Sequence, residues 1–167
     1  MLRRSTLMFV LALLLAAPVA AQSTVFLIRH AERADTVPGA PAAMGTDPDL
    51  SEAGRARAES LATLLKDAKV TAIFATEFKR TQQTAAPLAK ALGLTVKIVT
   101  SKDTAGLVKQ VKSSKGNVLV VGHSNSVPDV IKELGVSAPV TIADDEFDNL
   151  FLVTRGTPAS LVRLHYK

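Results

Sequence analysis

Apolar and polar positions fall in alternating blocks along this chain. Short runs rich in Val, Ile, Leu and Phe occur at Thr24-Val25-Phe26-Leu27-Ile28, Val70 to Ala75, Leu94 to Val99 and Val118 to Gly122. Runs this short, apolar on both faces, read as buried strands of a parallel sheet. Between them, apolar residues recur at helical spacing. Leu61, Leu64, Leu65 and Ala68 do so, which leaves Arg55, Arg57, Glu59 and Lys66 to face water. Ser51 can cap that helix, and Glu52 suits its positive end. Thr76 can cap the next helix, which carries Arg80, Thr81, Gln82 and Thr84; Pro87 inside it predicts a kink or break, and Gly93 ends it. Thr104 to Val111 reads as a short helix with Leu107, Val108 and Val111 inward. A further helix follows His123, with Pro128 tolerated near its start and Gly135 closing the segment. Asn149 to Thr154 and Leu161 to Tyr166 predict two final strands joined by a turn around Gly156 and Pro158.

Strands alternating with helices predict an α/β domain. The expected form is a three-layer α/β/α sandwich with a mostly parallel sheet, and the closing pair leaves room for an antiparallel edge strand. One connection stands out. Ala34 to Leu50 contains Pro38, Gly39, Pro41, Gly45 and Pro48 and follows the first strand directly. Loops of this length in compact domains are usually functional or disordered, so it is expected to form part of a site's rim.

The N-terminus and the composition narrow the picture. Arg3 and Arg4 precede an apolar run from Leu7 to Ala17, and Pro18-Val19-Ala20-Ala21 supplies small residues. This is the layout of a secretory signal peptide, with cleavage expected after Ala21 and a single domain over 22–167. The run is short of the roughly 20 apolar residues a membrane span needs, so no stable anchor is expected after cleavage. An exported location follows, periplasmic or secreted. There is no cysteine, so stability must come from packing and not from disulfides. The formal charge is +5, but the lysines are scattered and aromatics make up only 4% of residues. A nucleic-acid surface would show a concentrated basic stripe with stacking aromatics, and none is present. The scattered lysines imply mild attraction for anionic substrates.

Two of the chain's 3 histidines, His30 and His123, directly follow apolar strands. Parallel strands joined by right-handed crossovers point their carboxyl ends the same way, so both histidines can face one crevice. Arg29 adjoins the first. Arg80 lies early in the helix after the second strand. Two guanidiniums, two imidazoles and a helix N-terminus at one edge suit a tetrahedral oxyanion such as phosphate. A histidine held among such donors can attack phosphorus as a nucleophile.

Four segments then resemble those of the histidine phosphatase superfamily, also called phosphoglycerate mutase-like. Arg29-His30-Ala31-Glu32 resembles its opening Arg-His-Gly, with alanine in place of glycine. Leu50-Ser51-Glu52-Ala53-Gly54 resembles its Leu-(Ser/Thr)-x-x-Gly helix start. Arg80-Thr81-Gln82-Gln83-Thr84-Ala85 resembles its Arg-Thr-x-x-Thr-Ala segment, and Gly122-His123-Ser124-Asn125 its second-histidine segment. The order is the family's. The resemblance implies a phosphatase without metal or cofactor. His30 would become phosphohistidine; Arg29, Arg80 and His123 would hold the phosphoryl group, with Ser124 beside it. It implies a phosphorylated small molecule or a phosphohistidine protein as substrate. For the leaving-group proton it points to Asp103, in the interval where many members carry a glutamate, with Glu32 as the other candidate.

Other readings compete. The same fold can serve as a catalytically weak phosphate-binding domain. Gly122-His123-Ser124-Asn125-Ser126 is one residue short of a nucleophile elbow, and with Asp144 to Asp148 and His165 downstream it permits a serine hydrolase using Ser124. A metal hydrolase is the third, against which stands the absence of closely spaced ligand pairs. His165, in the terminal strand, reads as structural, and Asp144-Asp145-Glu146 as an acidic loop able to reach the crevice.

Overall fold

The order of six strands in one sheet brings the two histidine-bearing strand ends side by side. The computed structural model describes residues 23–36 and 47–167. The expected signal segment and most of the loop after His30 lie outside these. The elements run β1 (Thr24–Arg29), α1 (Glu52–Leu65), β2 (Val70–Thr76), α2 (Lys79–Leu92), β3 (Val96–Val99), α3 (Thr104–Ser113), β4 (Asn117–Gly122), α4 (Ser126–Glu133), β5 (Asn149–Thr154) and β6 (Ser160–His165), with one 3-10 turn at Ala34–Thr36. The strand order is β3-β2-β4-β1-β5-β6. β1, β2, β3 and β4 pair in parallel, and β5 pairs antiparallel with both β1 and β6. The reversed strand is therefore β5, one in from the edge, while the edge strand β6 again runs with β1. No helix among the described residues is long and apolar enough to cross a membrane.

Alternation of side chains along each strand divides the core in two. Phe26 and Ile28 of β1 join Leu61, Ala62 and Leu65 of α1 and Ala85, Leu88 and Ala89 of α2. Val25 and Leu27 pack on the other side with Leu107, Val108 and Val111 of α3 and Val127, Val130 and Ile131 of α4. The sandwich thus has two helices on each face, as the alternation of elements predicts. Both faces of β1 and β4 are covered, which is why these strands read as unbroken apolar runs.

Local expectations are met in part. Ser51 caps α1, its hydroxyl accepting from Gly54 N–H at 3.0 Å. Leu64 is 51% exposed, because the buried stripe of α1 runs through Gly54, Ala58, Leu61, Ala62 and Leu65. Thr76 does not cap α2. The N-cap position is Phe78, and the Asp47 carboxylate instead accepts from Lys79 N–H at 3.0 Å. α2 also runs through Pro87 without a break. Leu88 and Ala89, just beyond the proline, stay buried against the sheet, and such packing supplies most of a helix's stability in a protein.

Candidate active site

The register of the central strands assembles the site. Arg29 pairs with Gly122 and Ala75 with Val121, so β1, β2 and β4 end together. One residue on, His30 N–H donates to the Gly122 carbonyl at 2.9 Å, which seats His30 beside His123. Their ring centroids are 5.4 Å apart. With Arg29, Arg33, Phe78, Arg80, Lys102, Ser124, Asn125 and Asp144 they line a cleft of about 440 Å³.

The turn bearing His30 is clamped from outside. Ser51 N–H donates to the Glu32 carbonyl at 2.9 Å. Gly54 lets α1 approach closely: a Cβ there would stand 2.2 Å from the Glu32 carbonyl oxygen. Ala31, where the superfamily's motif has glycine, is fully buried with Leu50 and Ala58, so its methyl group fills a small apolar niche. Its N–H donates to Thr84 Oγ1 at 3.0 Å, and Thr84 Oγ1 donates to the Arg80 carbonyl at 2.7 Å. The Leu-Ser-x-x-Gly and Arg-Thr-x-x-Thr segments thus brace the histidine turn from two sides.

The hydrogen bonding of His30 sets its tautomer. Nδ1 lies 2.8 Å from the Ala31 carbonyl. A carbonyl only accepts, so Nδ1 carries the proton and Nε2 keeps its lone pair. Burial, helped by the charges of His123, Arg80 and Arg29, lowers the pKa to about 3 against the opposing pull of the Ala31 bond. His30 is therefore a neutral imidazole near neutral pH. His123 is brought down to about 4 by burial and by Arg80 and Arg29, with Glu77 acting in the opposite sense. Its Nε2 lies 3.0 Å from Thr76 Oγ1.

Positive charge crowds the cleft. Burial lowers the pKa of both Arg29 and Arg80; Asp144 opposes this at Arg29 and Asp47 at Arg80, while Arg33 adds repulsion at both. Nη1 of Arg29 donates to the carbonyls of Ala143, Asp144 and Glu146 at 2.9, 2.9 and 3.2 Å, and its guanidinium lies 4.1 Å from the Phe147 ring centroid. Arg80 stacks over Phe78 at 4.3 Å and approaches Asp47 at 3.6 Å. The Nε atoms of both arginines are buried with no hydrogen-bond partner among the described residues. A buried, unsatisfied N–H on a cation is costly, and a tetrahedral anion in the cleft would satisfy it.

The two expected proton donors are engaged elsewhere. Asp103 is the N-cap of α3; its Oδ1 accepts from Gly106 N–H at 2.8 Å, and it lines a neighbouring cavity. Glu32 accepts from Arg57 at 2.9 Å (Nε) and 2.6 Å (Nη2). Burial alone would raise its pKa, but the Arg57 hydrogen bonds hold it below the usual carboxylate value, which opposes a role as acid. Arg57, expected to face water, also donates to the Tyr166 carbonyl at 3.0 Å. Among the described residues the one carboxylate lining the cleft is that of Asp144. His165 pairs with Asp148 at 3.1 Å and lines a different cavity from Ser124, so the elements of a serine triad are not brought together. Among the described residues, no three His, Asp or Glu side chains converge as a metal site would require. Phe78, Phe147 and the carbonyls of residues 143–146 carry no sequence signature. Phe78 joins the site as the N-cap of α2, at the end of β2, whereas Phe147 and the carbonyls join it because β5 returns its preceding loop to the ends of β1 and β4.

The family model described as histidine phosphatase superfamily (branch 1) matches residues 25–103. No curated protein matches the sequence. Among solved structures, the protein histidine phosphatase SixA complexed with tungstate is similar at a TM-score of 0.64 and 19% identity, with 85% of this chain and 96% of that chain covered. A mycobacterial glucosyl-3-phosphoglycerate phosphatase complexed with VO3 gives 0.67 and 15%, over 87% of this chain and 100% of the other. A SixA-type structure from Agrobacterium tumefaciens gives 0.60 and 22%, over 85% and 97%. The family match over residues 25–103, which hold the Arg29-His30 and Arg80 segments, together with the shared fold across the whole sheet, makes this chain similar to the histidine phosphatase superfamily.

Proposed function

We propose that the protein is a phosphatase that works through a phosphohistidine on His30. The observation that carries this reading is the bond from His30 Nδ1 to the Ala31 carbonyl, which leaves an uncharged Nε2 lone pair in a cleft of cations. In the first step Nε2 forms a bond to phosphorus as the bond from phosphorus to the leaving atom breaks. In the second, a water oxygen attacks phosphorus, the P–N bond breaks, and phosphate leaves. Arg29, Arg80 and His123 stabilise the charge on the transferring group.

The substrate class we favour is a phosphoramidate, namely a phosphohistidine side chain on a protein. The likeness to SixA structures supports this, and so does the composition of the cleft. With Asp144 as its one lining carboxylate among the described residues, and that residue exposed, the site gives modest help to a poor leaving group. A departing imidazole needs little. A phosphomonoester is the second reading, favoured by the likeness to the mycobacterial glucosyl-3-phosphoglycerate phosphatase. Ser124, at the cleft wall, is read as a phosphate contact.

The test is to incubate the purified protein with a phosphohistidine peptide and with a panel of phosphoesters. Quenching in alkali should trap an acid-labile, base-stable phosphoprotein, and His30→Ala should abolish both the label and turnover. Full activity in His30→Ala would refute the mechanism.

A further inference from the structure

Thr76 and Thr81 are both buried (3% and 0% exposed), yet their hydroxyls face each other and not the apolar core. The contacts run in line towards His123. Thr81 Oγ1 lies 2.7 Å from the Phe78 carbonyl and 3.0 Å from the Thr76 carbonyl. Two oxygens at 2.7 Å attract only with a hydrogen between them, and a carbonyl has none to give. The single hydroxyl hydrogen of Thr81 is therefore spent on these carbonyls. Thr81 Oγ1 and Thr76 Oγ1 are 2.9 Å apart, so the hydrogen between them belongs to Thr76. Thr76, its own hydrogen used, can only accept from His123 Nε2 at 3.0 Å. Among the described residues His123 Nδ1 has no hydrogen-bond partner.

We propose that Thr81 and Thr76 form a hydroxyl relay whose direction holds His123 as the Nε2–H tautomer, leaving Nδ1 to exchange a proton with the phosphoryl group. The two catalytic histidines are thereby kept in opposite tautomers. His30 offers Nε2 to phosphorus, and His123 offers Nδ1 to a phosphoryl oxygen. A substrate bound as the monoanion gives its proton to Nδ1: one O–H bond breaks, one N–H bond forms, and the dianion that results offsets the burial and the arginine charges that keep the imidazole neutral before substrate binds. Thr76 and Thr81 are positioning residues, acting through His123. The proton exchange rests on the phosphatase reading, whereas the tautomer does not.

The experiment is long-range 1H–15N correlation NMR of the histidine rings in the resting protein, with exposed His165 removed by His165→Gln to simplify assignment. The wild type is expected to carry the His123 proton on Nε2. Thr81→Val removes the acceptor for the Thr76 hydrogen, which then turns onto Nε2 and drives the ring proton to Nδ1. Thr76→Val is expected to lower kcat about two- to ten-fold, the value of one net hydrogen bond, with a smaller change in KM. Thr76→Ser, which keeps the hydroxyl, should restore both the tautomer and the rate. Should Thr76→Val fail to fold, the Thr81→Val spectrum carries the same test. A wild-type ring protonated on Nδ1, or a tautomer unmoved by Thr81→Val, overturns the relay. An Nε2–H ring in a protein without phosphatase activity supports the relay and overturns the enzymatic reading, so the two failures are distinct.

Discussion

Replacing Gly54 by alanine sets two physical effects against each other. Inside a helix, alanine is favoured over glycine by about 1 kcal/mol. Gly54 lies in the first turn of α1, so propensity alone predicts a stabilised protein. The structure predicts the reverse. The new Cβ would stand 2.2 Å from the Glu32 carbonyl oxygen and 3.0 Å from Glu32 N, where ordinary contact begins at 3.4 Å. Helix and turn must separate by about 1 Å. Both contacts are backbone, so no side chain can rotate away. Overpacking of this kind costs about 1–3 kcal/mol. The same movement stretches the Ser51 N–H to Glu32 carbonyl bond, now 2.9 Å, which is worth about 1 kcal/mol. Set against the propensity gain, Gly54→Ala should destabilise by roughly 1–3 kcal/mol. With a urea slope of about 1–3 kcal/mol per molar, the unfolding midpoint should fall by roughly 1 M. Glu32 is two residues from His30, so the displacement also reaches the proposed nucleophile. Misplacement by about 1 Å can cost on the order of a hundred-fold in rate. Urea denaturation and kcat/KM on p-nitrophenyl phosphate measure the two effects. An unchanged or raised midpoint with unchanged kcat/KM would refute the reasoning and leave the Leu-Ser-x-x-Gly segment without this explanation.

Further predictions concern charge and protonation. Arg57→Met strands the Glu32 carboxylate and should destabilise by about 1–3 kcal/mol, visible as a lower thermal midpoint. Both site histidines have pKa values depressed below 6.5, to about 3 for His30 and about 4 for His123, so the unfolded chain binds more protons than the folded one below pH 6.5. Stability should therefore decline as pH falls from 6.5 towards 4, and His30→Ala should flatten that decline in urea titrations. The acid limb of kcat/KM due to these residues should lie near pH 4 and not near 6.5. Arg29→Met removes the Nη1 donor that meets the carbonyls of Ala143, Asp144 and Glu146, together with a cation of the cleft, so amide exchange across 143–148 should quicken while activity falls at least ten-fold. Asp144→Asn should slow an alkyl phosphate more than p-nitrophenyl phosphate or a phosphohistidine peptide; equal losses on all three would remove Asp144 from the leaving-group step.

What the sequence determined by itself is what depends on neighbours along the chain. Strand ends followed by Arg29-His30 and by His123 are local patterns, and parallel connectivity brings such ends to one edge. Hence the fold class, the pairing of the two histidines and the place of Arg80 were legible. The Ser51 cap was legible for the same reason, since its partner Gly54 lies three residues away. The tertiary structure decided where the long side chains reach. Arg57 has the pattern of a solvent-facing helix residue, yet it pairs with Glu32 across 25 residues and with Tyr166 across 109. Thr76, a plausible cap by position, turns to Thr81 and His123. Asp103 does serve as a cap, and it lines a cavity beside the histidine cleft and not the cleft itself. Asp144 and Phe147 enter the cleft because reversed β5 brings its N-terminal loop to the edge where β1 and β4 end. Carboxylates and guanidiniums choose partners by distance in space, and sequence periodicity carries no information about that distance.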